Sequence, residues 1–186
     1  MSLLKKLFVS SRPISWINTA FPFAVAYFLT TGSVDLTLVL GAFFFLIPYN
    51  LLMYGVNDVF DYESDLRNPR KGGIEGALLH PKYHSATLWI AFLFAAPFVI
   101  YLAVVGSFES NSWLALVLFS VIAYSIKGLR FKEIPFLDSI TSALHFVGPM
   151  WFGLALAGAE VNQTILLVSG TFFLWGMASH AFGAVQ

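Results

Sequence analysis

The chain has 186 residues, of which 58% are hydrophobic and only 11% are charged, with a formal net charge of zero. Its mean hydropathy of +0.78 lies far above that of a soluble domain and predicts a polytopic membrane protein. Cysteine is absent, which excludes a disulfide framework and thiolate chemistry. We expect lipid as the surrounding partner and no nucleic-acid partner.

Six apolar segments are each long enough to cross a hydrocarbon core of about 30 Å. They cover residues 14–31, 36–56, 86–106, 112–126, 138–158 and 164–182. We therefore predict an all-α transmembrane helix bundle that forms a single membrane domain over residues 1–186. No segment resembles a cleaved signal peptide, because Arg12 and Pro13 lead straight into the first full-length span.

The positive charges are confined to one side of this predicted topology. All ten Lys and Arg residues lie before the first span, between spans two and three, or between spans four and five: Lys5, Lys6, Arg12, Arg67, Arg70, Lys71, Lys82, Lys127, Arg130 and Lys132. By the positive-inside rule, the N-terminus and these two loops are cytoplasmic. This predicts a multi-pass protein of the cell membrane with its active face in the cytoplasm and with residues 59–85 as a cytoplasmic cap loop.

The segment before the first span is a short basic lead that we expect to lie at the membrane surface. It is followed by Arg12-Pro-Ile-Ser-Trp16. This element is either an interface anchor or a support that lets Arg12 reach into a cytoplasmic site and hold an anion, and both roles are compatible.

Prolines interrupt four of the predicted spans, at Pro22, Pro48, Pro97 and Pro149. Each removes a backbone donor and is expected to kink its helix, which leaves room for a cavity between helices. Small residues such as Gly153 are expected to let helix backbones approach closely elsewhere.

The second span ends in an acidic stretch. Asn57, Asp61 and Asp65 are spaced i, i+4, i+8, so on a helix they share one face, and Asp58 and Glu63 add further charge. Carboxylates one turn apart repel each other unless a cation lies between them. Mg²⁺ prefers such hard oxygen ligands together with substrate phosphates. The alternative is a solvated helix end.

Two basic clusters follow on the same predicted membrane face. The first cluster, Arg67, Arg70 and Lys71, lies in the cap loop, and the second contains Lys127, Arg130 and Lys132. They are either solvated, headgroup-facing charges or phosphate ligands. Two basic loops beside an acidic helix end suit a Mg²⁺-diphosphate. His145 and His180 lie within spans, and we leave both outside the predicted site.

These motifs resemble the UbiA superfamily of intramembrane prenyltransferases. Asn57-Asp-Val-Phe-Asp61-Tyr-Glu-Ser-Asp65 fits the first acidic motif of that family, NDxxDxxxD. The Arg12–Trp16 element fits its RPxxW-like element, and Tyr124-Ser125 with Arg130 and Lys132 is similar to its YSxxxxRxK element. The sequences of three segments, residues 45–55, 62–73 and 129–133, are similar to those of the lycopene elongase branch.

The resemblance implies a bundle of nine spans around a central cavity, in which two acidic motifs hold Mg²⁺ and a diphosphate. It implies that Asn57, Asp61 and Asp65 are catalytic and, with Asp58, hold the metal. It implies a diphosphate site among Arg12, Arg67, Arg70, Lys71, Tyr124, Ser125, Arg130 and Lys132. The second acidic motif and three spans are not among the 186 residues, so we expect the native chain to continue past Gln186.

The implied activity is transfer of a dimethylallyl group from its diphosphate to a hydrophobic membrane acceptor, with lycopene as the expected acceptor. A quinone-type aromatic or a lipid alcohol is the alternative acceptor. A non-catalytic membrane scaffold, or a half-bundle that needs a partner, is the alternative of another class. A transporter is disfavoured, because its ionisable residues would lie near the midplane of several helices.

Overall fold

The computed structural model of the chain describes residues 2–68, 71 and 76–184. All regular structure in this part of the chain is helical, which confirms the all-α prediction. Its α-helices are α1 (Leu3–Ser10), α2 (Trp16–Thr31), α3 (Leu36–Leu46), α4 (Pro48–Phe60), α5 (Tyr62–Asp65), α6 (His84–Val105), α7 (Phe108–Ser125), α8 (Leu137–Leu156) and α9 (Gln163–Ala184). Single 3₁₀ turns occur at Pro13–Ser15, Pro81–Tyr83 and Phe131–Glu133.

Four helical stretches within the described residues are long and apolar enough to cross a membrane. They are Leu36–Phe60, Pro81–Val105, Leu137–Leu156 and Gln163–Gly183. The other two predicted spans correspond to the shorter helices α2, with 16 residues, and α7, with 18. The structure thus confirms a membrane-type helical bundle, while the number of six spans and the orientation of the N-terminus stay predictions.

The second predicted span is not one helix but two, because Pro48 begins a new helix. Ile47 adopts φ −119° and ψ −59° between α3 and α4. The amide of Asn50 donates to the carbonyls of Phe45, at 2.8 Å, and Leu46, at 3.1 Å, and so provides partners for carbonyls at the break. Thr19 of α2 donates to the same Phe45 carbonyl at 2.6 Å. The other three prolines expected to kink their helices lie within α2, α6 and α8, which continue past them.

The bundle is held together by an aromatic core around α8. Phe23, Phe45 and Phe152 are fully buried, and their ring centroids lie 5.2–5.9 Å apart. Such aromatic pairs add about 0.5–1.5 kcal/mol each beyond the area they bury. Gly153 makes the approach of α8 to α2 possible, since a Cβ there would lie 2.8 Å from the carbonyl oxygen of Phe23. The expected close approach at Gly153 is therefore confirmed.

Side-chain contacts bring the C-terminal ends of α4, α7 and α9 together with the N-terminal ends of α2 and α8. Asn57 of α4 contacts Ser125 of α7, and Tyr124 of α7 contacts Asp138 of α8. Arg12, which precedes α2, lies over a ring of α4. Arg12, Arg130 and Lys132 all lie here, so we call this region the basic end of the bundle. The functional side chains predicted from the sequence that the structure describes all lie at or beside the basic end.

The opposite end shows how a helix start is fixed. The carboxylate of Asp35 caps α3 by accepting from the Leu38 N–H at 2.8 Å, and it also accepts from the Tyr27 hydroxyl at 2.9 Å. The bond from Leu38 N–H lowers the pKa of Asp35 below its ordinary value. This stabilisation is therefore fully present at neutral pH, and it is lost as the pH falls through the lowered pKa of the folded protein.

We expect Asp35→Ala to destabilise the protein by about 1 kcal/mol, because α3 loses its cap. In a chain of this size, that loss lowers the melting temperature by about 2–4 °C. Thermal unfolding in detergent at pH 7 measures it. Asp35→Asn keeps an acceptor oxygen for Leu38 and should lose less; equal losses in both variants would contradict capping as the cause.

Candidate functional site at the basic end

The acidic stretch keeps its helical register through a break in the chain. Helix α4 ends at Phe60, yet the N–H of Asp61 donates to Asn57 O at 2.9 Å and that of Asp65 donates to Asp61 O at 2.8 Å. The predicted one-turn spacing of Asn57, Asp61 and Asp65 is thus present in the backbone. Their side chains nevertheless contact two different sets of partners.

The first set surrounds Asp61 and joins α4 to the connection between α7 and α8. The amide of Asn57 donates to Asp61 Oδ2 at 2.8 Å and to Ser125 Oγ at 3.1 Å. The other carboxylate oxygen of Asp61 forms an ion pair with Lys132 and lies 3.6 Å from Arg130 Nη2. The predicted metal ligands Asn57 and Asp61 therefore lie together with the predicted phosphate ligands Arg130 and Lys132.

Both arginines that border the site have unusual backbone conformations. Arg12 has φ +48° and Arg130 has φ +41°, in the left-handed region that residues with a Cβ rarely adopt. Strained residues of this kind concentrate at functional sites, where the surrounding structure holds them in place. Arg130 is held by its ion pair with Glu133, in which Nη2 and Oε1 are 2.6 Å apart.

The second set surrounds Asp58, which is fully buried. Its carboxylate accepts from Ser10 Oγ at 2.8 Å and Lys71 Nζ at 2.7 Å, and from the N–H of Ala77 at 3.2 Å. Lys71 also pairs with Asp65 at 2.8 Å. Burial raises the pKa of Asp65, and the hydrogen bond and charge of Lys71 oppose that rise. These contacts tie α1 and the segment after α5 to the end of α4, and we call them the Asp58 anchor.

Close approach around the Asp58 anchor requires a glycine at position 76. Gly76 has φ +104°, and a Cβ there would lie 3.0 Å from Asp58 Oδ1 and 3.1 Å from Arg12 Nε. Arg12 Nη2 lies 3.6 Å from Asp58 Oδ1. The Arg12 guanidinium also lies 4.2 Å from the ring centroid of Tyr54, a cation–π contact. Arg12 therefore links the anchor to the interior of the bundle.

A cavity of about 550 Å³ opens between α2, α4, α7, α8 and α9. Polar and apolar side chains both contribute to its lining. The polar side chains are Arg12, Asn18, Tyr54, Asn57, Tyr124, Ser142, His145, Ser179 and His180, and the apolar ones include Phe21, Met53, Phe146, Phe172 and Trp175. This volume lies within the range of about 300–1,000 Å³ that is usual for small-molecule sites.

Of the predicted phosphate ligands that the structure describes, Arg12 and Tyr124 line this cavity. Arg67 is exposed and borders a separate surface cavity with Arg130, and Lys71 belongs to the Asp58 anchor. Arg70 lies outside the described residues. The candidate site within the described residues therefore combines two groups. Arg12, Asn57 and Tyr124 line the cavity, and Asp61, Ser125, Arg130 and Lys132 are joined to Asn57 directly or through Asp61.

The donor atoms fit a magnesium ion only as a minority of its ligands. Within residues 2–68, 71 and 76–184, no three His, Asp or Glu side chains are clustered closely enough to hold a metal. Asn57 and Asp61 together offer one amide oxygen and one carboxylate. Mg²⁺ is commonly bound by one or two carboxylates plus water and substrate phosphates, so this pair suits an ion that arrives with a diphosphate.

A second set of polar contacts borders the same cavity and includes Asp138, Ser142 and His180, which lie outside the site predicted from the sequence. Tyr124 and His180 contact the two carboxylate oxygens of Asp138, and Ser142 contacts the other ring nitrogen of His180. The available signal was the i, i+4 spacing of Asp138 and Ser142 on one helix, combined with an intramembrane histidine. The contact between α8 and α9 that joins them could not be read from the sequence.

Fold and site together define a helical membrane protein with a largely apolar cavity, one lining residue of which, Asn57, is hydrogen-bonded to a carboxylate paired with two cations. Residues 19–186 match the model of the UbiA prenyltransferase family, and the chain belongs to that family. This confirms the resemblance stated from the motifs.

Among similar proteins is a C50 β-cyclic carotenoids biosynthesis protein of Dietzia sp., 61% identical over 99% of this chain and 43% of that protein. A lycopene elongase/hydratase of Corynebacterium glutamicum is 52% identical over 100% of this chain and 65% of that protein. The chain thus spans about two fifths of the length of the Dietzia protein and about two thirds of the length of the Corynebacterium protein.

The fold is also similar to that of a UbiA homologue from Archaeoglobus fulgidus, whose structure was solved with DMAPP and Mg²⁺. The TM-score is 0.69 and the identity 23%, over 92% of this chain and 60% of that one. This similarity confirms the helical UbiA fold.

The Asp58 anchor predicts a large and specific loss of stability. We expect Asp58→Ala to destabilise the protein by about 3–5 kcal/mol, because a buried ion pair loses one partner and Lys71 keeps only Asp65. Thermal unfolding in detergent measures this loss.

The double variant Asp58→Ala with Lys71→Met should lose less stability than the sum of the two single variants, because each single change already breaks the same ion pair. Glu63→Ala, at an exposed acid of the same stretch, is the matched control and should change stability by less than about 0.5 kcal/mol. A loss in the double variant equal to the sum of the two single losses would contradict the pairing as the source of the effect.

Proposed function

We propose that the protein transfers a dimethylallyl group from its diphosphate to a hydrophobic acceptor in the membrane, with lycopene as that acceptor. The observation that carries this proposal is that Asn57 lines a largely apolar cavity and donates a hydrogen bond to Asp61, which in turn pairs with Arg130 and Lys132. An allylic diphosphate likewise combines a charged part, its polyanionic head, with an apolar tail. The relatives named for lycopene elongation and C50 carotenoid biosynthesis support the choice of acceptor.

The diphosphate head would be bound by cations from two sides of the cavity. Lys132 and Arg130 already lie against Asp61, and the guanidinium of Arg12 lines the cavity from the start of α2. Arg groups suit phosphate oxygens because their planar fork donates two parallel hydrogen bonds. We assign Lys71 to the Asp58 anchor, because binding a phosphate would require it to leave two carboxylates. Arg67 and Arg70 stay predictions from the sequence.

Asn57 and Asp61 would hold Mg²⁺, with Asp58 and Asp65 retained near it by Lys71. When bound, Mg²⁺ neutralises charge on the diphosphate leaving group. Ser125 orients the Asn57 amide, and Tyr124 packs beside it at the end of α7. These side chains bind and orient the head group, and none of them needs to form a covalent bond to the substrate.

The apolar lining would hold the allyl group and one end of the acceptor away from water. Tyr54 and Trp175 present aromatic side chains to the cavity, and such rings stabilise a nearby cation by about 0.5–2 kcal/mol. Exclusion of water protects an allylic cation from hydrolysis before the acceptor double bond attacks it. A volume of about 550 Å³ suits a dimethylallyl group and the end of an acceptor, whose remainder would extend into the bilayer.

The location of the activity follows from the charge distribution. We propose that the basic end faces the cytoplasm of a multi-pass cell-membrane protein, because its loops carry the Lys and Arg residues. In this arrangement, residues 59–85 would form the cytoplasmic cap, and the Asp58 anchor joins Lys71 and Ala77 of that segment to α1 and α4. A soluble diphosphate would then enter from the cytoplasm and a carotenoid from the membrane.

We expect Asp61→Asn to lower turnover of dimethylallyl diphosphate about 10²-fold or more, because the metal and the two paired cations lose their shared carboxylate. The assay uses membranes that contain the full native chain, either wild type or one variant, and follows diphosphate release over a range of Mg²⁺ concentrations. Glu63→Gln, which neutralises an exposed acid in the same segment, is the matched control and should stay within about twofold of wild type. Full activity of Asp61→Asn would contradict the proposed metal site.

We expect prenylated C50 product only when lycopene is the acceptor supplied. Product masses from membranes offered lycopene, a quinone-type aromatic or a lipid alcohol compare the alternatives directly. Prenylation of either other acceptor in place of lycopene would keep the reaction class and change the substrate. Absence of Mg²⁺-dependent diphosphate release with every acceptor would favour the scaffold function instead.

A further inference from the structure

A continuous chain of side-chain hydrogen bonds connects three helices at the basic end. Tyr124 of α7 donates to Asp138 Oδ1 of α8 at 2.9 Å. His180 Nε2 of α9 lies 2.9 Å from Asp138 Oδ2, and its Nδ1 lies 3.0 Å from Ser142 Oγ of α8. Neither the metal ligands nor the phosphate clamp of the proposed function uses His180, Ser142 or Asp138.

The directions of these bonds follow from the chemistry of the groups. An Asp138 carboxylate can only accept, so the neutral form of His180 that fits this contact carries its N–H at Nε2 and a lone pair at Nδ1. The hydroxyl of Ser142 can then donate its hydrogen to that lone pair. The order hydroxyl, imidazole, carboxylate is the one in which a carboxylate holds the tautomer of a general base and stabilises the imidazolium that forms.

These hydrogen-bonded side chains lie at the wall of the cavity. Ser142, His180 and Tyr124 line the cavity, whereas Asp138 does not and lies behind them. Asp138 and Ser142 are one turn apart on α8, so the imidazole of His180 bridges them from α9. The base stands on the α8–α9 side, whereas Asn57 and Asp61 come from α4. Tyr124 is the one residue shared by this chain of hydrogen bonds and the candidate diphosphate site.

Addition of an allylic cation to a carbon–carbon double bond leaves a new carbocation on the acceptor. The reaction ends only when that cation loses a neighbouring proton or captures water. We infer that Ser142, His180 and Asp138 form the proton acceptor that ends the reaction, an inference that rests on the proposed prenyl transfer.

In this step, the C–H bond next to the cationic carbon breaks, and its electron pair forms the new double bond. The proton passes to Ser142 Oγ as the hydrogen of that hydroxyl moves to His180 Nδ1. The Asp138 carboxylate stabilises the resulting imidazolium, and Tyr124 holds the other oxygen of that carboxylate. The diphosphate has by then left with the electrons of the C–O bond, so charge and atoms balance.

Other groups that line the cavity are less suited to this step. His145 also lines it and contacts Tyr124 edge to face with centroids 5.4 Å apart, but the contacts described for its ring include no carboxylate. Asp61 is engaged by Lys132, Arg130 and Asn57. The departed diphosphate is the remaining rival base, and the experiment must distinguish it from His180.

The test compares the wild-type protein with His180→Gln, Asp138→Asn and Ser142→Ala, each made as the full native chain in its own membranes. The membranes are supplied with dimethylallyl diphosphate, Mg²⁺ and lycopene. Diphosphate release measures ionisation, and mass spectrometry gives the ratio of the proton-loss product to the product heavier by one water. Ser169→Ala is the matched control, because Ser169 is a buried serine of α9 whose hydroxyl donates to Leu166 O within its own helix.

In His180→Gln and Asp138→Asn we expect diphosphate release to stay within about threefold of wild type, while the proton-loss product falls about 10²-fold relative to the water adduct. Ser142→Ala should shift the ratio in the same direction by a smaller factor, since water can replace its hydroxyl. Ser169→Ala should leave both quantities at wild-type levels.

An unchanged product ratio in all three variants would overturn the inference and assign the proton to the diphosphate. An equal fall in diphosphate release and product, with the ratio constant, would also overturn it, because the residues would then support the fold or the first step. A wild-type protein that releases no diphosphate under these conditions would refute the proposed function itself. The two failures are therefore distinguishable.

Discussion

The structure depends on the pairing of the carboxylates at the C-terminal end of the apolar helix α4 with cations and hydrogen-bond donors. Asp58 is fully buried, and an unpaired charge in such a place costs several kcal/mol. Its partners come from segments distant in sequence, since Ser10 precedes the first span and Lys71 lies beyond α5. The need to neutralise this one carboxylate therefore draws α1 and part of the predicted cap loop onto the end of α4.

The acidic stretch divides its charges between two tasks. Asp58 and Asp65 share Lys71 and hold the bundle end together, while Asp61 turns toward Lys132 and Arg130 beside the cavity. A diphosphate can compete with Asp61 for these two cations, so Asp61 is suited to a site that binds a metal and a diphosphate. A group buried under a serine hydroxyl, an ammonium and a backbone N–H is suited to stability. One short motif thus supplies both.

The apolar part of the bundle sets the shape of the cavity. The break at Pro48 lets α3 and α4 differ in direction, and Asn50 and Thr19 donate hydrogen bonds to the carbonyls there. The ring cluster around Phe152 then fixes α8 against α2 and α3. Because α8 also packs on α7 and α9, the same helix that anchors the core carries Asp138 and Ser142 to the cavity. The polar chain is thereby built on rigid elements.

Sequence alone determined the class of fold, the family and the pairing of an acidic motif with basic loops, because hydropathy and local spacing are properties of consecutive residues. It could not determine which cation meets which carboxylate. Lys71 carried the same local signal as Lys132, yet one joins the anchor and the other the candidate site. Likewise, His180 gained significance only when packing of α9 on α8 placed it between Asp138 and Ser142. Contacts between distant helices follow from three-dimensional packing, which only the tertiary structure decides.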